Sequence, residues 1–323
     1  MAKSWKASCP SNIALIKYMG KKDYEKNIPT NASISWTLEY LVSTVVLVEA
    51  ESDSWTPLPS DFPFQLTASG KVKFLNHLNR IKDVFEIQQN FQVQSANNFP
   101  ADCGIASSAS SFAALTAVCV KAFSELTGRT LAVEEVAQLS ARGSGSSCRS
   151  FMGGLVEWND HGIQNVESDL KGLLHMVVIV GDGAKKVSSS EAHKRVATSS
   201  LFPTRVERSN QRMEHLKQQI QPLDWKALYE NVWAEFWDMH ALFETCTEPF
   251  GYFLPGSTEV LNNARLFWKE NGDGPVVTMD AGPNIHLLWR MDQKKLALKF
   301  YSEYLENQWT CLSNIAEIGF ARI

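Results

Sequence analysis

The sequence predicts a mixed fold of the α/β or α+β class, because apolar strands and amphipathic helices alternate along the chain. Residues 42–49 and 174–180 are apolar runs rich in β-branched side chains, which are typical of buried strands. Residues 73–84 carry apolar side chains at intervals of three and four, the spacing of an amphipathic helix. With 323 residues, the chain can form one large domain or two coupled ones.

The other predicted elements follow the same reasoning. Further strands are predicted at residues 91–96, 275–279 and 286–289. Further helices are predicted from the small-residue loop near residue 107 to Gly128, at 131–139 and at 294–306. Residues 191–271 have a mostly helical pattern, with breaks at Pro203, at Pro222 and between Pro249 and Pro255. A shift in composition near Gly183 marks the best candidate for a domain boundary.

Composition and charge exclude several classes of protein. Lys and Arg number 31 against 35 Asp and Glu, and this net charge of -4 argues against nucleic acid or an anionic membrane as the main partner. No secretory signal or membrane span is predicted, and the six cysteines are scattered. The seven histidines have no zinc-site spacing. We therefore expect a cytoplasmic protein with reduced thiols.

The first segment suited to chemistry is a loop of small residues that opens into a helix. Backbone N–H groups in such a loop can approach a phosphate, and the helix N-terminus favours its negative charge. Serine hydroxyls there can add hydrogen bonds or a ligand for Mg²⁺. The candidate residues are Asn97, Gly104, Ile105, Ala106, Ser107, Ser108 and Ser110. The alternative is an Ala/Ser-rich helix that simply packs closely against a neighbour.

The second segment is a Gly/Ser loop between two arginines, Arg142 and Arg149. Its backbone donors, hydroxyls and guanidinium groups suit a phosphate or a carboxylate. The residues between the arginines include Ser144, Gly145, Ser146, Ser147 and Cys148. A flexible solvated turn is the alternative interpretation.

Two shorter segments complete the candidates. Residues 12–22 place Lys17 and Lys21 around Tyr18, Met19 and Gly20, where the lysines can neutralise a polyanion or simply extend into solvent. Asp280 follows an apolar strand and precedes a Gly-Pro turn, a position for a base or a structural turn residue. His240 lies in an aromatic helical pattern and is interpreted as a packed or hydrogen-bonded residue rather than a ligand.

Taken in order, these four segments resemble the mevalonate diphosphate decarboxylases of the GHMP kinase superfamily. The matching stretches are residues 12–21, 29–38, 97–115, 141–158 and 278–284. The resemblance implies an α+β protein of two-layer α/β sandwiches with the GHMP kinase fold. An N-terminal domain like ribosomal protein S5 domain 2 (residues 1–184) and a ferredoxin-like C-terminal domain (185–323) are expected.

The same resemblance implies an activity. It is the ATP- and Mg²⁺-dependent decarboxylation of (R)-mevalonate 5-diphosphate to isopentenyl diphosphate, ADP, phosphate and CO2, in a homodimer. Asp280 would orient the C3 hydroxyl and accept its proton, and Lys17 would keep Asp280 ionised by its opposite charge. Arg149 would hold the substrate carboxylate, and Asn12 would help to place these groups.

The resemblance also divides the remaining candidates between two ligands. Residues 18–21 and 144–149 would bind the substrate, whereas Asn97 and residues 104–110 would hold the ATP phosphates, with Ser107 or Ser108 near Mg²⁺. Some residues depart from the family pattern: Met19, the pair Ser110 and Ser111, residues 235–240 before His240, and residues 186–195 around His193. The alternatives are a related enzyme acting on mevalonate 5-phosphate, a 3-kinase without decarboxylation, and an inactive metabolite-binding homologue.

Overall fold

The computed structural model describes residues 2–100, 105, 107–181, 183 and 186–319. Its strands are β1 (Ser4–Ile16), β2 (Lys21–Asp23), β3 (Ile28–Pro29), β4 (Ser33–Ala50), β5 (Ser54–Pro57), β6 (Asn90–Asn97), β7 (Leu155–Asn159), β8 (Gly162–Asn165), β9 (Leu173–Ile179), β10 (Val276–Thr278), β11 (Ile285–Arg290) and β12 (Thr310–Ser313). Its helices are α1 (Ala68–Phe85), α2 (Ser107–Thr127), α3 (Val133–Ala141), α4 (Ser189–Arg195), α5 (Arg205–Gln219), α6 (Trp225–Glu244), α7 (Pro255–Asn271) and α8 (Lys294–Tyr304).

The first large sheet is organised around the long strand β4. One edge of β4 pairs with β1 along nearly its whole length. Its other edge pairs with β7 near its start and with β6 near its end. Helices α1 and α2 cover this sheet, and the core between them contains Phe74, Phe91, Phe112 and Phe123. The strand predicted at residues 42–49 is therefore the second half of a longer strand.

The second sheet has the strand order β10-β11-β9-β12, with every pair antiparallel. Helices α4 to α7 connect β9 to β10, and α8 connects β11 to β12. This order and these connections make the ferredoxin-like topology that the family resemblance implies. Its core contains Phe267, Trp289 and Phe300.

The helical region between β9 and β10 breaks where its prolines predict. Pro203 lies between α4 and α5, Pro222 between α5 and α6, and Pro255 is the first residue of α7. A proline has no N–H for the intrahelical hydrogen bond, so each break has a local cause. The strand ending at Ile179 pairs into the second sheet, so sheet membership changes before the proposed division at residue 184. The division itself stays a prediction.

Helix α2 is apolar enough and, with 21 residues, long enough to cross a membrane by length and composition alone. Much of it is buried inside the protein, where it packs on β1 and β4. Burial of this kind marks the central helix of a globular core.

Candidate active site

The site begins with an ion pair between two strand ends that are far apart in the sequence. Lys17 directly follows β1, and Asp280 lies two residues beyond β10. The Lys17 Nζ donates to Asp280 Oδ1 at 2.7 Å. Thr278 Oγ1 also donates to the carbonyl of Ala14 at 3.2 Å, which joins the two strands beside the pair. The structure therefore brings together the two residues to which the resemblance gave the acid–base chemistry.

The two members of this pair differ in exposure. Only 2% of the Lys17 side chain is exposed, against 24% of the Asp280 side chain. Burial lowers the pKa of Lys17, the charges of Asp280 and Glu235 oppose that effect, and the charge of Arg149 adds to it. The carboxylate of Asp280 is therefore partly exposed, and the buried Lys17 cation contacts its Oδ1. Such a carboxylate can orient a hydroxyl and take up its proton.

His240 supports Asp280 through the backbone. Its Nε2 lies 3.2 Å from the carbonyl oxygen of Asp280, and its ring is buried among Phe243, Tyr252 and Phe253. Burial and the charge of Lys17 lower the pKa of His240 to about 3. The histidine is therefore a neutral, hydrogen-bonded helix residue, as the sequence analysis expected.

Arg149 is a buried cation held by hydroxyl groups. Its Nη1 donates to Ser33 Oγ at 2.7 Å, and its Nε donates to Ser35 Oγ. Ser33 and Ser35 are alternate residues of β4, so both point to the same face of the sheet. Among the described residues, no carboxylate lies within ion-pair distance of Arg149.

A buried charge without a counter-ion is costly, and here burial lowers the pKa of Arg149. The planar guanidinium matches a carboxylate in shape and charge. The arrangement therefore fits an anionic ligand that completes the site when it binds.

The segment that carries Arg149 is a 3-10 helix, Gly145–Ser150, tied to the first sheet. Asn12 Nδ2 donates to the carbonyl of Ser146 at 3.2 Å and to Ser150 Oγ at 2.9 Å. Asn12 therefore fixes the position of this helix. Gly145 is required here because a Cβ at this position would overlap the ring of Tyr18.

The side chains of the Gly/Ser loop face different surroundings. Ser147 and Cys148 are fully buried, and they donate to the carbonyls of Ser144 and Gly145 at 2.6 and 3.1 Å. Burial raises the pKa of the Cys148 thiol to about 12. Ser144 and Ser146 are partly exposed. Ser144 and Ser146 thus have the side chains available to a ligand, whereas Ser147 and Cys148 hold the loop together.

Beyond Lys17, the chain forms a basic pocket. Lys21 Nζ donates to Asn27 Oδ1 at 2.6 Å, and burial together with the charges of Lys73 and Lys194 lowers the pKa of Lys21 to about 8. The Gly20 N–H donates to His193 Nδ1 at 3.0 Å, so this histidine fixes the turn before Lys21. A cluster of three lysines, in which the charges of Lys73 and Lys194 disfavour the charged form of Lys21, suits a polyanion such as a diphosphate.

Tyr18 and Met19 line this pocket in different ways. The Tyr18 ring packs against Trp158 and His193, and its hydroxyl donates to the carbonyl of Asn27 at 3.1 Å. The Met19 side chain is buried in an apolar cluster with Val196 and Phe243. Met19 can therefore contact a ligand through its backbone but not through its side chain.

The serine-rich loop lies next to the Gly/Ser loop. Ser108 is exposed at the start of α2, and its hydroxyl donates to Ser144 Oγ at 3.3 Å. Ser107 is partly exposed in the same turn. Gly104 and Ala106, two of the predicted phosphate-binding residues, lie outside the described residues. The helix start that was predicted to hold phosphates is thus joined to the loop that carries Arg149.

The other predicted members of this loop are engaged with the protein. Asn97 Oδ1 accepts from Ser43 Oγ at 2.7 Å, and Ser110 Oγ lies 2.6 Å from the same hydroxyl. Ile105 is buried, and its carbonyl accepts from Ser11 Oγ at 2.6 Å. These contacts fix Ile105 and the first turn of α2 against β1, β4 and β6. A cavity of about 510 Å³ adjoins Asn97 and is lined by both polar and apolar residues, including Thr44, Pro59 and Asn98.

Sequence reasoning missed several residues of the site. Ser33 and Ser35 were quoted in the matching stretch 29–38, but their contact with Arg149 needs the register of β4. Lys73 comes from α1, far from the other lysines in sequence. Arg205 and Glu235, which contact the backbone of Lys17, come from α5 and α6. The local signals were the serines at alternate positions and the stretch 235–240, but neither signal points to its partner.

Comparison with known proteins gives matches along nearly the whole chain. Residues 9–169 match a family model described as "Diphosphomevalonate decarboxylase-like N-terminal domain", and residues 175–318 match one described as "Mevalonate 5-diphosphate decarboxylase C-terminal domain". A diphosphomevalonate decarboxylase of Saccharomyces cerevisiae is 30% identical over 91% of this chain and 79% of its own.

Solved structures agree with these matches. The crystal structure of a mevalonate diphosphate decarboxylase from Legionella pneumophila has a TM-score of 0.91 and is 44% identical, covering 96% of this chain and 100% of its own. A structure of MDDEF in complex with MVAPP, AMPPCP and magnesium has a TM-score of 0.86 and is 28% identical, covering 97% of both chains.

The fold and these matches define the class first: the protein has the GHMP kinase fold, with a ferredoxin-like second sheet. The two family models and the identity to curated relatives then define the family. The chain belongs to the diphosphomevalonate decarboxylase family.

Proposed function

We propose that this protein decarboxylates (R)-mevalonate 5-diphosphate with ATP, giving isopentenyl diphosphate, ADP, phosphate and CO2. One observation carries the proposal within this chain. A buried arginine that has no carboxylate partner among the described residues lies beside a Lys17–Asp280 pair and a basic pocket. That combination suits a substrate with a carboxylate at one end, a hydroxyl in the middle and a diphosphate at the other end.

Each part of the substrate has a partner of matching chemistry. Lys21, with Lys73 and Lys194, would neutralise the diphosphate. Arg149 would hold the carboxylate through its planar fork and so fix the C1–C2 bond for cleavage. Asp280 would orient the C3 hydroxyl and receive its proton as the oxygen forms its bond to the γ-phosphorus of ATP. Positioning and charge neutralisation supply most of the catalysis in such a transfer.

The second stage needs no further base. The C3–O bond breaks and phosphate leaves, while the C1–C2 bond breaks and its electron pair becomes the C2=C3 double bond. CO2 leaves from the position held by Arg149. The Lys17 cation would hold the Asp280 carboxylate in place during both stages. The buried residues around Arg149 would limit the access of water.

The nucleotide and its metal would occupy the start of α2. Among the described residues, no group of three or more His, Cys, Asp or Glu can hold a metal. Mg²⁺ in phosphoryl-transfer sites is held largely by phosphate and water oxygens with one or two protein ligands. The exposed hydroxyl of Ser108 or that of Ser107 fits this donor set. MDDEF, whose structure contains AMPPCP and magnesium, supports both ligands for this chain. The cavity beside Asn97 is the proposed place of the nucleoside.

We further propose that the protein is a cytoplasmic homodimer with no nucleic-acid or membrane partner. The net charge of -4 argues against a nucleic-acid or anionic-membrane partner, and the family resemblance supports the homodimer.

A coupled assay tests the function. Mevalonate, its 5-phosphate and its 5-diphosphate would each be offered with ATP and Mg²⁺, and ADP and CO2 would be recorded together. The proposal expects equal ADP and CO2 from the 5-diphosphate alone, and CO2 release about three decades or more slower in an Asp280→Ala control. ADP without CO2, or a preference for the 5-phosphate, would overturn it.

A further inference from the structure

The main chain of Lys17 is held by a buried charge network that belongs to the helices of the other half of the molecule. The Lys17 N–H donates to Glu235 Oε1 of α6 at 2.9 Å. The Lys17 carbonyl accepts from Arg205 Nη2 of α5 at 3.3 Å and from Asn31 Nδ2 at 2.9 Å. Both polar groups of the Lys17 backbone are thus fixed by side chains rather than by a neighbouring strand.

Glu235 is itself fully engaged. It has no exposed surface. Its carboxylate accepts hydrogen bonds from both terminal nitrogens of Arg205 and, at 3.1 Å, from Nη1 of Arg212. Arg205 is equally buried. A buried carboxylate with this many charge-assisted donors has one available orientation. Its Oε1 therefore presents a fixed acceptor to Lys17.

The fixed backbone of Lys17 also determines the position of the Asp280 carboxylate. Lys17 is the first residue after β1, so its backbone position sets where the ammonium group meets Asp280. The Coulombic effect of Glu235 also favours the charged form of Lys17. A displacement of about 1 Å in such a pair can cost about 10²-fold in rate.

We propose that Glu235 is a positioning residue for the reaction: it fixes the backbone of Lys17, and through Lys17 it fixes Asp280. The inference rests on the proposed function, because it assigns Glu235 to the same acid–base pair. It goes beyond that function because Glu235 contacts the Lys17 backbone, Arg205 and Arg212, and its carboxylate is not assigned to the substrate or to the reacting groups.

Asp238 supplies a matched control within the same network. It lies one turn further along α6 and accepts from Arg205, Arg208 and Arg212, at 2.6 to 3.0 Å. The structure gives no hydrogen bond between its carboxylate and Lys17 among the described residues. Glu235→Gln and Asp238→Asn each remove one negative charge beside Arg205 and Arg212, but only the first changes the carboxylate bonded to Lys17.

The test measures kcat, KM and their pH dependence for the wild type, Glu235→Gln, Glu235→Asp and Asp238→Asn. Glu235→Gln is expected to lower kcat about 10- to 100-fold with little change in the KM for the 5-diphosphate. Its alkaline limit of kcat should move to lower pH, because Lys17 loses a favourable charge. Asp238→Asn should lower the melting temperature about as much as Glu235→Gln does. It should nevertheless keep the wild-type kcat and the wild-type alkaline limit.

Several charged or titratable groups face Lys17: Asp280, Glu235, Arg149, Arg205 and His240. The titration of Lys17 itself must therefore be measured, because the pH profile of kcat alone does not identify the group. The Cε resonance of Lys17 in protein labelled with ¹³C-lysine, identified by its loss in Lys17→Arg, should titrate at lower pH in Glu235→Gln. Glu235→Asp keeps the charge and should restore the pH limit but not the full kcat, since its shorter side chain retracts the acceptor.

Two results separate the possible failures. If the wild type does not turn over the 5-diphosphate, the proposed function fails, and the Lys17 titration alone decides the inference. If the wild type is active and Glu235→Gln matches Asp238→Asn in kcat, alkaline limit and Lys17 titration, Glu235 is only a structural member of the network and the inference is wrong. Should Glu235→Gln not fold, the comparison of Glu235→Asp with Asp238→Asn gives the same decision through kcat.

Discussion

Two buried arginines of this protein have opposite surroundings. Arg205 is 0% exposed and donates to Glu235 and Asp238, whose charges outweigh burial and raise the pKa of Arg205. Arg149 is 2% exposed and donates to the hydroxyls of Ser33 and Ser35, and burial lowers the pKa of Arg149.

The difference separates a structural cation from a binding cation. Arg205 has its counter-ions within the protein, so its charge is already neutralised. Arg149 has hydrogen bonds that fix its orientation but no ion pair within the described residues. We infer that its counter-ion arrives with the substrate. Lys21 is similar: a hydrogen bond to Asn27 fixes its orientation, and the charges near it are those of other lysines.

The largest expected effect is at Asp280, whose charge acts on Arg149 from beyond ion-pair distance. Asp280→Ala should lower kcat by about three decades or more, because the hydroxyl loses both its orientation and its proton acceptor. The nucleotide affinity, measured by calorimetry, should remain. Turnover like that of the wild type would remove Asp280 from the mechanism.

Arg149→Lys should come next. The variant keeps the charge but loses the planar fork, so kcat/KM for the 5-diphosphate should fall about 10²-fold. Arg208→Lys is the matched control, since Arg208 is partly exposed and already has a carboxylate partner, Asp238, within the protein. Steady-state kinetics should leave the control close to the wild type. Equal behaviour of the two variants would make Arg149 a general electrostatic contributor.

The basic pocket should give the affinity a pH dependence. The pKa of Lys21 is lowered to about 8, so above that pH the free enzyme loses this cation before the diphosphate binds. The dissociation constant should rise by up to about tenfold per pH unit above 8 and be flat below it. Titration calorimetry between pH 7 and 9.5 measures this. Lys21→Arg, which stays charged, should flatten the profile, and an unchanged profile would exclude Lys21 as the titrating group.

The smallest effect is expected at the serine that joins the two loops. Ser108→Ala removes the hydrogen bond to Ser144 and a hydroxyl close to the proposed phosphates, so the KM for ATP should rise by up to about tenfold. Ser302→Ala, an exposed serine of α8, is the control. Comparison with Ser107→Ala shows which hydroxyl matters more for Mg²⁺ dependence. No change in either serine variant would place the nucleotide elsewhere.

Local patterns explain how much could be predicted. The spacing of apolar residues located α1 and α2, and the prolines located the breaks between α4 and α7, because these signals act within a few residues. Strand β1 was missed. Residues 11–16 of β1 are buried on both faces and include Ser11 and Asn12, so the sequence shows no alternation of polar and apolar residues.

The residues of the site also fall into those that the sequence predicts and those that only the packing reveals. Asp280 and Lys17 were predicted through motifs of the family, and their contact is present in the structure. The link from Glu235 to Lys17 joins positions 218 residues apart and depends on how α6 packs against the end of β1. No periodicity encodes such a contact. Met19 shows the converse: it lies inside a binding motif, but its side chain belongs to the core.

The stability of two variants tests most directly whether Arg149 awaits a substrate anion. Denaturant unfolding would be measured for Arg149→Met and Arg205→Met, with and without mevalonate 5-diphosphate. Arg205→Met should lose about 3–5 kcal/mol because it leaves buried carboxylates unpaired, whereas Arg149→Met should stay within about 1 kcal/mol of the wild type. Only Arg149→Met should lose most of the stabilisation that the substrate gives. Equal destabilisation of both variants, with substrate still stabilising Arg149→Met, would contradict the account.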